Sequence, residues 1–173
     1  MSVPENLYSM VDLVIASFHE PVFKPAGITT NTDAMVNTIC QGNCQIIGHP
    51  GNPNFPIDIN SVVSAAKENN VVLEINNSSF IGSRNGSSDN CRAILEAVAN
   101  HDWLITFASD AHIAYDLGRF DECTKLCKEV GFPQENIVSR TPEQLLAFLA
   151  EHHKPVVREL EHWLKSAMQE NRE

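Results

Sequence analysis

The sequence has 173 residues, the length of one domain, and its 43% hydrophobic and 20% charged residues are the balance of a globular protein. Twelve basic residues stand against 22 acidic ones, and the net charge of −10 argues against nucleic acids and anionic membranes as partners. No stretch approaches the roughly 20 apolar residues of a membrane-spanning helix. Residues 1–10 lack a basic segment followed by an apolar run, so we expect no signal peptide and a cytoplasmic location.

Short apolar runs alternate with amphipathic stretches along the chain. In chain order, these patterns predict a strand at 11–18, a helix at 32–40, a strand at 45–48, a helix at 58–69, a strand at 71–75, a helix at 89–100, a strand at 103–108, a helix at 120–130, a short strand at 137–138 and a helix from 141. Strand and helix repeat at a spacing of about 30 residues, which is typical of parallel strands joined by right-handed crossovers. The sequence therefore predicts an α/β fold.

The odd number of cysteines, without a secretion signal, predicts reduced thiols and no disulfide framework. Cys40 and Cys44, like Cys123 and Cys127, are four residues apart, a spacing that would place both members of a pair on one face if they lay on a helix. We expect these cysteines to be small core residues. A zinc site is the alternative, and it would need further ligands.

Three of the predicted strands end in side chains that can bind metal ions. His19 follows the first strand, His49 the second, and Asp110 with His112 the fourth. Because the carboxyl ends of parallel strands meet at one rim of a sheet, we expect these side chains to converge. Imidazole and carboxylate donors together suit Zn²⁺, Mn²⁺ or Fe²⁺. The alternatives are ordinary loop histidines and, for Asp110, a cap on the following helix.

Four segments in this order and spacing, FHEP, HPGNP, EINNSS followed by NCR, and SDAH, resemble the PHP (polymerase and histidinol phosphatase) superfamily. They are most similar to its YcdX-like phosphatase branch, and the resemblance covers about residues 7–150. It implies a distorted (βα)7 barrel of parallel strands and a cluster of divalent metal ions, zinc first with manganese or iron as alternatives. It also implies that His19, His49, Asp110 and His112 are metal ligands, and that the reaction is hydrolysis of a phosphomonoester by a metal-activated water.

The sequence departs from the family pattern on its N-terminal side. The family's first strands and half of its metal ligands have no counterpart here, so we expect a partial PHP domain over residues 1–153 and a C-terminal helical tail over residues 154–173. Without those strands, the strand at 11–18 would be an apolar edge. This predicts a sheet that is open, or one that a second copy of the chain completes.

Four further residues are candidates for contacts with substrate or ligands. Arg84, in the loop after the third strand, is predicted to bind phosphate, because a guanidinium can grip phosphate with two parallel hydrogen bonds. A solvated loop arginine is the alternative. Asn76 and Asn77 are predicted to bind substrate or, alternatively, to form a turn. Glu20 follows His19 directly and is predicted to orient the His19 ring without binding the metal itself; an ordinary exposed carboxylate is the alternative.

Together these features predict a metal-dependent phosphoesterase that acts on a phosphorylated small molecule. The missing ligands favour a different interpretation, a catalytically incomplete PHP remnant that acts by binding or interaction. The retained motifs at the strand ends favour the first. Nucleic acid is not expected as a partner, because the chain is acidic and lacks a basic stripe.

Overall fold

A parallel sheet of four strands in the order β1-β2-β3-β4 forms the centre of the molecule. The computed structural model describes residues 4–82 and 84–170. Within them the strands are β1 (Ile15–Ala16), β2 (Ile46–Ile47), β3 (Val72–Asn76) and β4 (Ile105–Ala108). Each strand pairs with its neighbour in parallel, and helical crossovers supply the long connections that this pairing needs. The predicted α/β class is confirmed, and closure into a barrel stays a prediction.

Seven α-helices accompany the sheet in the part of the chain that the structure describes. They are α1 (Ile28–Cys40), α2 (Ile59–Glu68), α3 (Ser78–Ile81), α4 (Ser87–Asn100), α5 (Asp121–Val130), α6 (Pro142–Glu151) and α7 (Val156–Glu170). Across these ranges, no helix has both the length and the apolar character needed to cross a membrane. The predicted tail over residues 154–173 contains α7, although residues 171–173 lie outside the described residues. The boundary between domain and tail stays a prediction.

The helix ends follow the local chemistry of the sequence. Asp58 caps α2 by accepting a hydrogen bond from the Ser61 N–H at 2.8 Å, and Thr141 caps α6 in the same way. Gly131 ends α5 at a φ of +73°, a conformation that glycine adopts without strain. α1 begins at Ile28, before the predicted start at residue 32, and α3 was not predicted.

Two predicted strands are shorter in the structure, and next to each of them a side chain accepts a backbone hydrogen bond. The run at 11–18 forms a strand only over Ile15–Ala16, where the Val14 N–H donates to the side-chain Oε1 of Gln45 at 2.9 Å. The run at 137–138 makes only an isolated bridge between Ile137 and Ile105. Next to that bridge, the Phe107 N–H donates to the Ser139 hydroxyl at 2.8 Å.

Apolar side chains pack against both faces of the sheet. Alternate strand residues point to opposite faces, so Leu73 joins the larger cluster with α1, α2, α4 and α5, whereas Val72 joins the smaller cluster with α6 and α7. All five residues of β3 are buried, as expected of a central strand. Glu74 and Asn76 share the face of Val72, which places two polar side chains inside the fold at the carboxyl end of β3.

Candidate functional site

The carboxyl ends of β1, β2 and β4 and the loop after β3 surround a cavity of about 470 Å³. This is the rim at which the sequence places the site, and parallel sheets usually bind ligands there. The lining residues are Phe18, His19, Glu20, His49, Asn52, Pro53, Asn54, Phe55, Arg84, Asn85 and Asp110. Three of the four predicted metal ligands are therefore brought together at one cavity.

His19 and His49 face each other across the cavity. Their ring centroids are 5.0 Å apart and the rings are nearly perpendicular, at 85°. His19 is exposed, whereas His49 is buried. Burial, followed by the positive charge of Arg84, lowers the pKa of His49 to about 4. The His49 imidazole is therefore neutral at neutral pH, which is the form that binds metals and accepts hydrogen bonds.

Arg84 and Asp110 form an ion pair in the wall of the cavity. Nη2 of Arg84 lies 2.6 Å from Oδ2 of Asp110, and the two side chains are 10% and 30% exposed. The Arg84 carbonyl is fixed in turn, because it accepts hydrogen bonds from the N–H and the hydroxyl of Ser87 at the start of α4. The loop after β3 thus directs a nearly buried guanidinium towards the end of β4.

His112 and Glu20 lie at the periphery of this arrangement. His112 is exposed, and its Nδ1 lies 2.8 Å from the Asp110 carbonyl oxygen, so its ring packs back on its own loop. It is not among the residues that line the cavity. Glu20 is exposed on the rim, where its Oε1 accepts a hydrogen bond from the Asn54 side chain at 3.1 Å.

The two asparagines at the end of β3 have different surroundings. Asn76 is buried and donates to Oε2 of Glu74 at 3.1 Å, while its own Oδ1 is buried without a partner among the described residues. Asn77 points the other way: its Oδ1 accepts from the backbone N–H groups of Glu122 and Cys123. Asn77 therefore caps α5 from outside that helix, and neither asparagine lines the cavity.

The arrangement does not amount to a metal site by itself. Across residues 4–82 and 84–170, no three His, Cys, Asp or Glu side chains are grouped so that they could hold a metal ion. The physical reason lies in two side chains, since Asp110 is paired with Arg84, and His112 does not line the cavity and has its Nδ1 against the Asp110 carbonyl oxygen. The two facing imidazoles alone are fewer donors than a metal site needs. The predicted zinc, manganese or iron site stays a prediction.

Several contacts at the site were not anticipated from the sequence. Asn52, Asn54 and Asn85 line the cavity beside the predicted residues. They could have been proposed from the sequence, because they lie close to His49 and Arg84 in polar loops. Phe18, Phe23 and Phe55 form a stacked aromatic group at the same end of β1, with centroids of Phe18 and Phe23 4.6 Å apart.

A close approach of the backbone also shapes the loop after β2. A Cβ at Gly51 would lie 2.8 Å from the Cys91 sulfur, so this position leaves no room for a larger residue. The Gly51 carbonyl accepts a hydrogen bond from the Asn90 side chain at 3.0 Å. These contacts attach the loop that carries His49 to α4.

Comparison with known proteins adds a functional context to this geometry. No protein-family model matches the chain. The chain is similar to proteins named probable phosphatases. It is 49% identical over 154 residues to one from Pectobacterium atrosepticum, a match that covers 89% of this chain and 63% of that protein. It is 53% identical over 146 residues to one from Aeromonas hydrophila subsp. hydrophila, which covers 84% and 59%.

A third relative, the probable phosphatase YcdX of Escherichia fergusonii, is 53% identical over 144 residues, covering 83% of this chain and 59% of that protein. The chain thus spans about three-fifths of the length of the curated relatives it matches. These matches support the likeness to phosphatases that the sequence motifs predicted. Membership of the PHP superfamily stays a prediction.

Proposed function

We propose that the cavity is part of a phosphatase active site in which Arg84 binds the phosphate of a small phosphorylated substrate. The observation that carries this proposal is the nearly buried guanidinium of Arg84, held by Asp110 beside two facing imidazoles. Similarity to proteins named probable phosphatases supports the same reaction class.

Each side chain would contribute through its ordinary chemistry. The planar guanidinium of Arg84 offers paired N–H donors that match two phosphate oxygens, and Asp110 holds it at the cavity as long as no metal ion is bound. The neutral ring of His49 can hold a hydrogen bond to the phosphate or to water without adding charge. In the overall reaction, water attacks phosphorus, the P–O ester bond breaks, and inorganic phosphate and an alcohol are released.

We further propose that hydrolysis depends on a divalent metal ion, with zinc preferred and manganese or iron as alternatives. Imidazole and carboxylate are the donor types that these ions take. His19, His49, Asp110 and His112 would hold the ion. For this, Asp110 has to release Arg84 and His112 has to turn towards the cavity, because the described residues form no metal site as they stand.

The alternative proposal is a domain of the same fold that binds phosphate without hydrolysing it. The finding that favours it is the lack of a grouped set of metal donors in residues 4–82 and 84–170. In both proposals Arg84 binds phosphate. They differ in whether the chain hydrolyses a phosphate ester.

One experiment separates the two proposals and tests what they share. Binding of inorganic phosphate is measured by calorimetry for the unmodified chain, for Arg84→Ala and for a control, Arg92→Ala, which removes a surface arginine that pairs with Glu129. We expect Arg84→Ala to weaken binding about tenfold or more, because a charge-assisted hydrogen bond is worth roughly 1.5–3 kcal/mol. Arg92→Ala should bind phosphate as the unmodified chain does. Equal affinities for all three proteins would contradict the role of Arg84.

Hydrolysis of p-nitrophenyl phosphate by the same three proteins is then followed without metal and with added zinc, manganese or iron(II). The phosphatase proposal expects turnover only with metal, and its loss in Arg84→Ala. Phosphate binding with no turnover at any metal concentration would support the binding domain. Elemental analysis after gel filtration reports whether the chain retains the metal.

A further inference from the structure

Glu74 is a buried carboxyl group next to the cavity that the proposed function does not use. It lies on β3, is 5% exposed and shares the inward face with Asn76. Oε2 of Glu74 accepts the backbone N–H of His49 at 2.6 Å and the side-chain amide of Asn76 at 3.1 Å. Burying a carboxyl group is costly unless it is hydrogen-bonded, so these two contacts are what make its position tolerable.

The backbone that receives this hydrogen bond is strained. His49 has a φ of +35°, outside the regions that a non-glycine residue normally occupies. Such a conformation costs of the order of 1–3 kcal/mol and persists only where neighbouring contacts impose it. The short bond from the His49 amide to Glu74 is one such contact, and it acts on the residue that carries the strain.

The preceding residue shows how tightly the chain passes at this point. A Cβ at Gly48 would lie 3.1 Å from Cγ2 of Ile15, 3.2 Å from Cβ of Ser17 and 3.7 Å from Oε2 of Glu74. The backbone at Gly48 therefore runs between β1 and Glu74 with little freedom to move. The Gly48 N–H also donates to the Ala16 carbonyl at 2.8 Å. One side of the turn is thus fixed by β1 and the other by Glu74.

We propose that Glu74 is a positioning residue, which holds the backbone of His49 in its strained conformation and so keeps the imidazole facing His19 across the cavity. Its importance for activity rests on the proposed function of that cavity. Without the carboxyl oxygen, the buried N–H of His49 would lose its acceptor and the turn would relax towards an ordinary φ. The ring would then leave the arrangement in which the two centroids are 5.0 Å apart.

Amide hydrogen exchange at His49, followed by NMR on the whole chain without phosphate or metal, measures this hold directly. Glu74→Ala removes the acceptor and Glu74→Gln keeps a carbonyl oxygen at the same distance. Glu96→Ala, an exposed carboxylate on α4, is the control. We expect exchange at His49 to be about 10- to 100-fold faster in Glu74→Ala, the range that loss of a hydrogen bond to a charged or buried group gives. Glu74→Gln and Glu96→Ala should stay near the unmodified rate.

Two results would overturn the proposal. The first is unchanged exchange at His49 in Glu74→Ala. The second is a uniform acceleration across the core amides, such as that of Leu73, in both Glu74 variants, since this would mean a general structural role. If Glu74→Ala does not fold, Glu74→Asp keeps the charge but is one methylene too short to reach His49. Its local exchange is expected to rise as described, and unchanged exchange would again overturn the proposal.

Titration with inorganic phosphate separates this proposal from the proposed function. If the unmodified chain binds no phosphate, the proposed function fails while the exchange rates still decide the role of Glu74. If it does bind phosphate, Glu74→Asp should lower the affinity and Glu74→Gln should restore it. If a Glu74 variant exchanges the His49 amide faster but binds phosphate with unchanged affinity, the proposed link from Glu74 through His49 to the cavity is contradicted.

Discussion

The five thiols differ in their surroundings, although the sequence spaces four of them as two similar pairs. Cys44, Cys91, Cys123 and Cys127 are buried, as the expectation of small core residues requires, whereas Cys40 is exposed, and for it that expectation is wrong. Burial raises the pKa of Cys44 and of Cys91 to about 11, and the pKa of Cys127 to about 11 as well. The Cys123 thiol donates to the Ile75 carbonyl at 3.2 Å. The thiolate is the reactive form, so burial lowers the reactivity of these thiols in two ways: it raises their pKa and it blocks access of reagents.

We therefore expect a thiol reagent such as an aromatic disulfide to react quickly with a single cysteine of the native chain at neutral pH. The remaining thiols should react only after unfolding. Cys40→Ser should abolish the fast phase. After denaturation, the number of reactive thiols per chain should be one lower than in the unmodified chain. The release of the chromophore, counted per chain, gives the result. Two or more fast thiols would contradict the burial of the other four.

The site residues show what a sequence can and cannot predict at this scale. His19, His49 and Asp110 could be placed at one rim because parallel strands fix where their ends lie. The pairing of Arg84 with Asp110 could not be predicted, because it depends on the path of the loop after β3. The orientation of His112 depends on its own loop in the same way. Nothing in the spacing of residues specifies either.

At the scale of elements, α5 depends on a residue that lies 44 positions before its first residue, since Asn77 precedes Asp121. Oδ1 of Asn77 accepts the N–H of Glu122 at 3.0 Å and that of Cys123 at 3.4 Å. The first N–H groups of a helix have no partner within it, so this side chain supplies what a local cap would otherwise supply. The contact joins the end of β3 to the helix that follows β4.

Asn77→Ala should lower the free energy of unfolding by about 1 kcal/mol, the usual cost of losing a helix cap. Asn85→Ala, an exposed asparagine on the rim of the cavity, is the matched control and should change it by less than about 0.5 kcal/mol. Urea denaturation followed by circular dichroism measures both. Equal stabilities for the two variants would show that the contact between Asn77 and α5 contributes nothing. Phosphate affinity of Asn77→Ala then tests its predicted role in substrate binding.

The ends of helices were predicted best where a neighbouring residue determines where the helix begins or ends. The caps of α2 and α6 and the glycine that ends α5 are each a residue adjacent to the helix. The helices predicted at 58–69 and 120–130 agree with α2 and α5 within one residue at each end, and the helix predicted from 141 agrees with α6 within one residue at its start. The strands near the sheet edges were predicted too long. There the side chains of Gln45 and Ser139 take positions in the hydrogen-bond ladder, and an apolar run does not reveal this.

At the scale of the whole molecule, the two edges of the sheet differ. Beyond β4, the bridge to Ile137 and the hydroxyl of Ser139 engage the outer edge. Beyond β1, no further strand pairs within residues 4–82 and 84–170, and Ile15 is 51% exposed. Val22, which lines the same surface cavity as Ile15, is 66% exposed. An apolar edge strand of this kind is a template for pairing with another chain.

We expect two copies of this chain to associate through the β1 edge at high protein concentration. Ile15→Lys places a charge on that edge and should shift the equilibrium to monomer. Ile113→Lys, at an isoleucine after β4 that is 62% exposed, should not. Because each copy carries a net charge of −10, the two repel each other at low ionic strength. Screening within about 10 Å at 0.1 M salt reduces that repulsion, so association should strengthen as salt is added.

Sedimentation velocity at several protein and salt concentrations measures this equilibrium for the unmodified chain and both variants. A monomer under every condition would contradict self-association. A dimer that Ile15→Lys does not weaken would place the interface elsewhere. A dimer that weakens with salt would mean that attraction between charged groups outweighs apolar contact, contrary to what the exposed isoleucine and valine side chains at this edge lead us to expect.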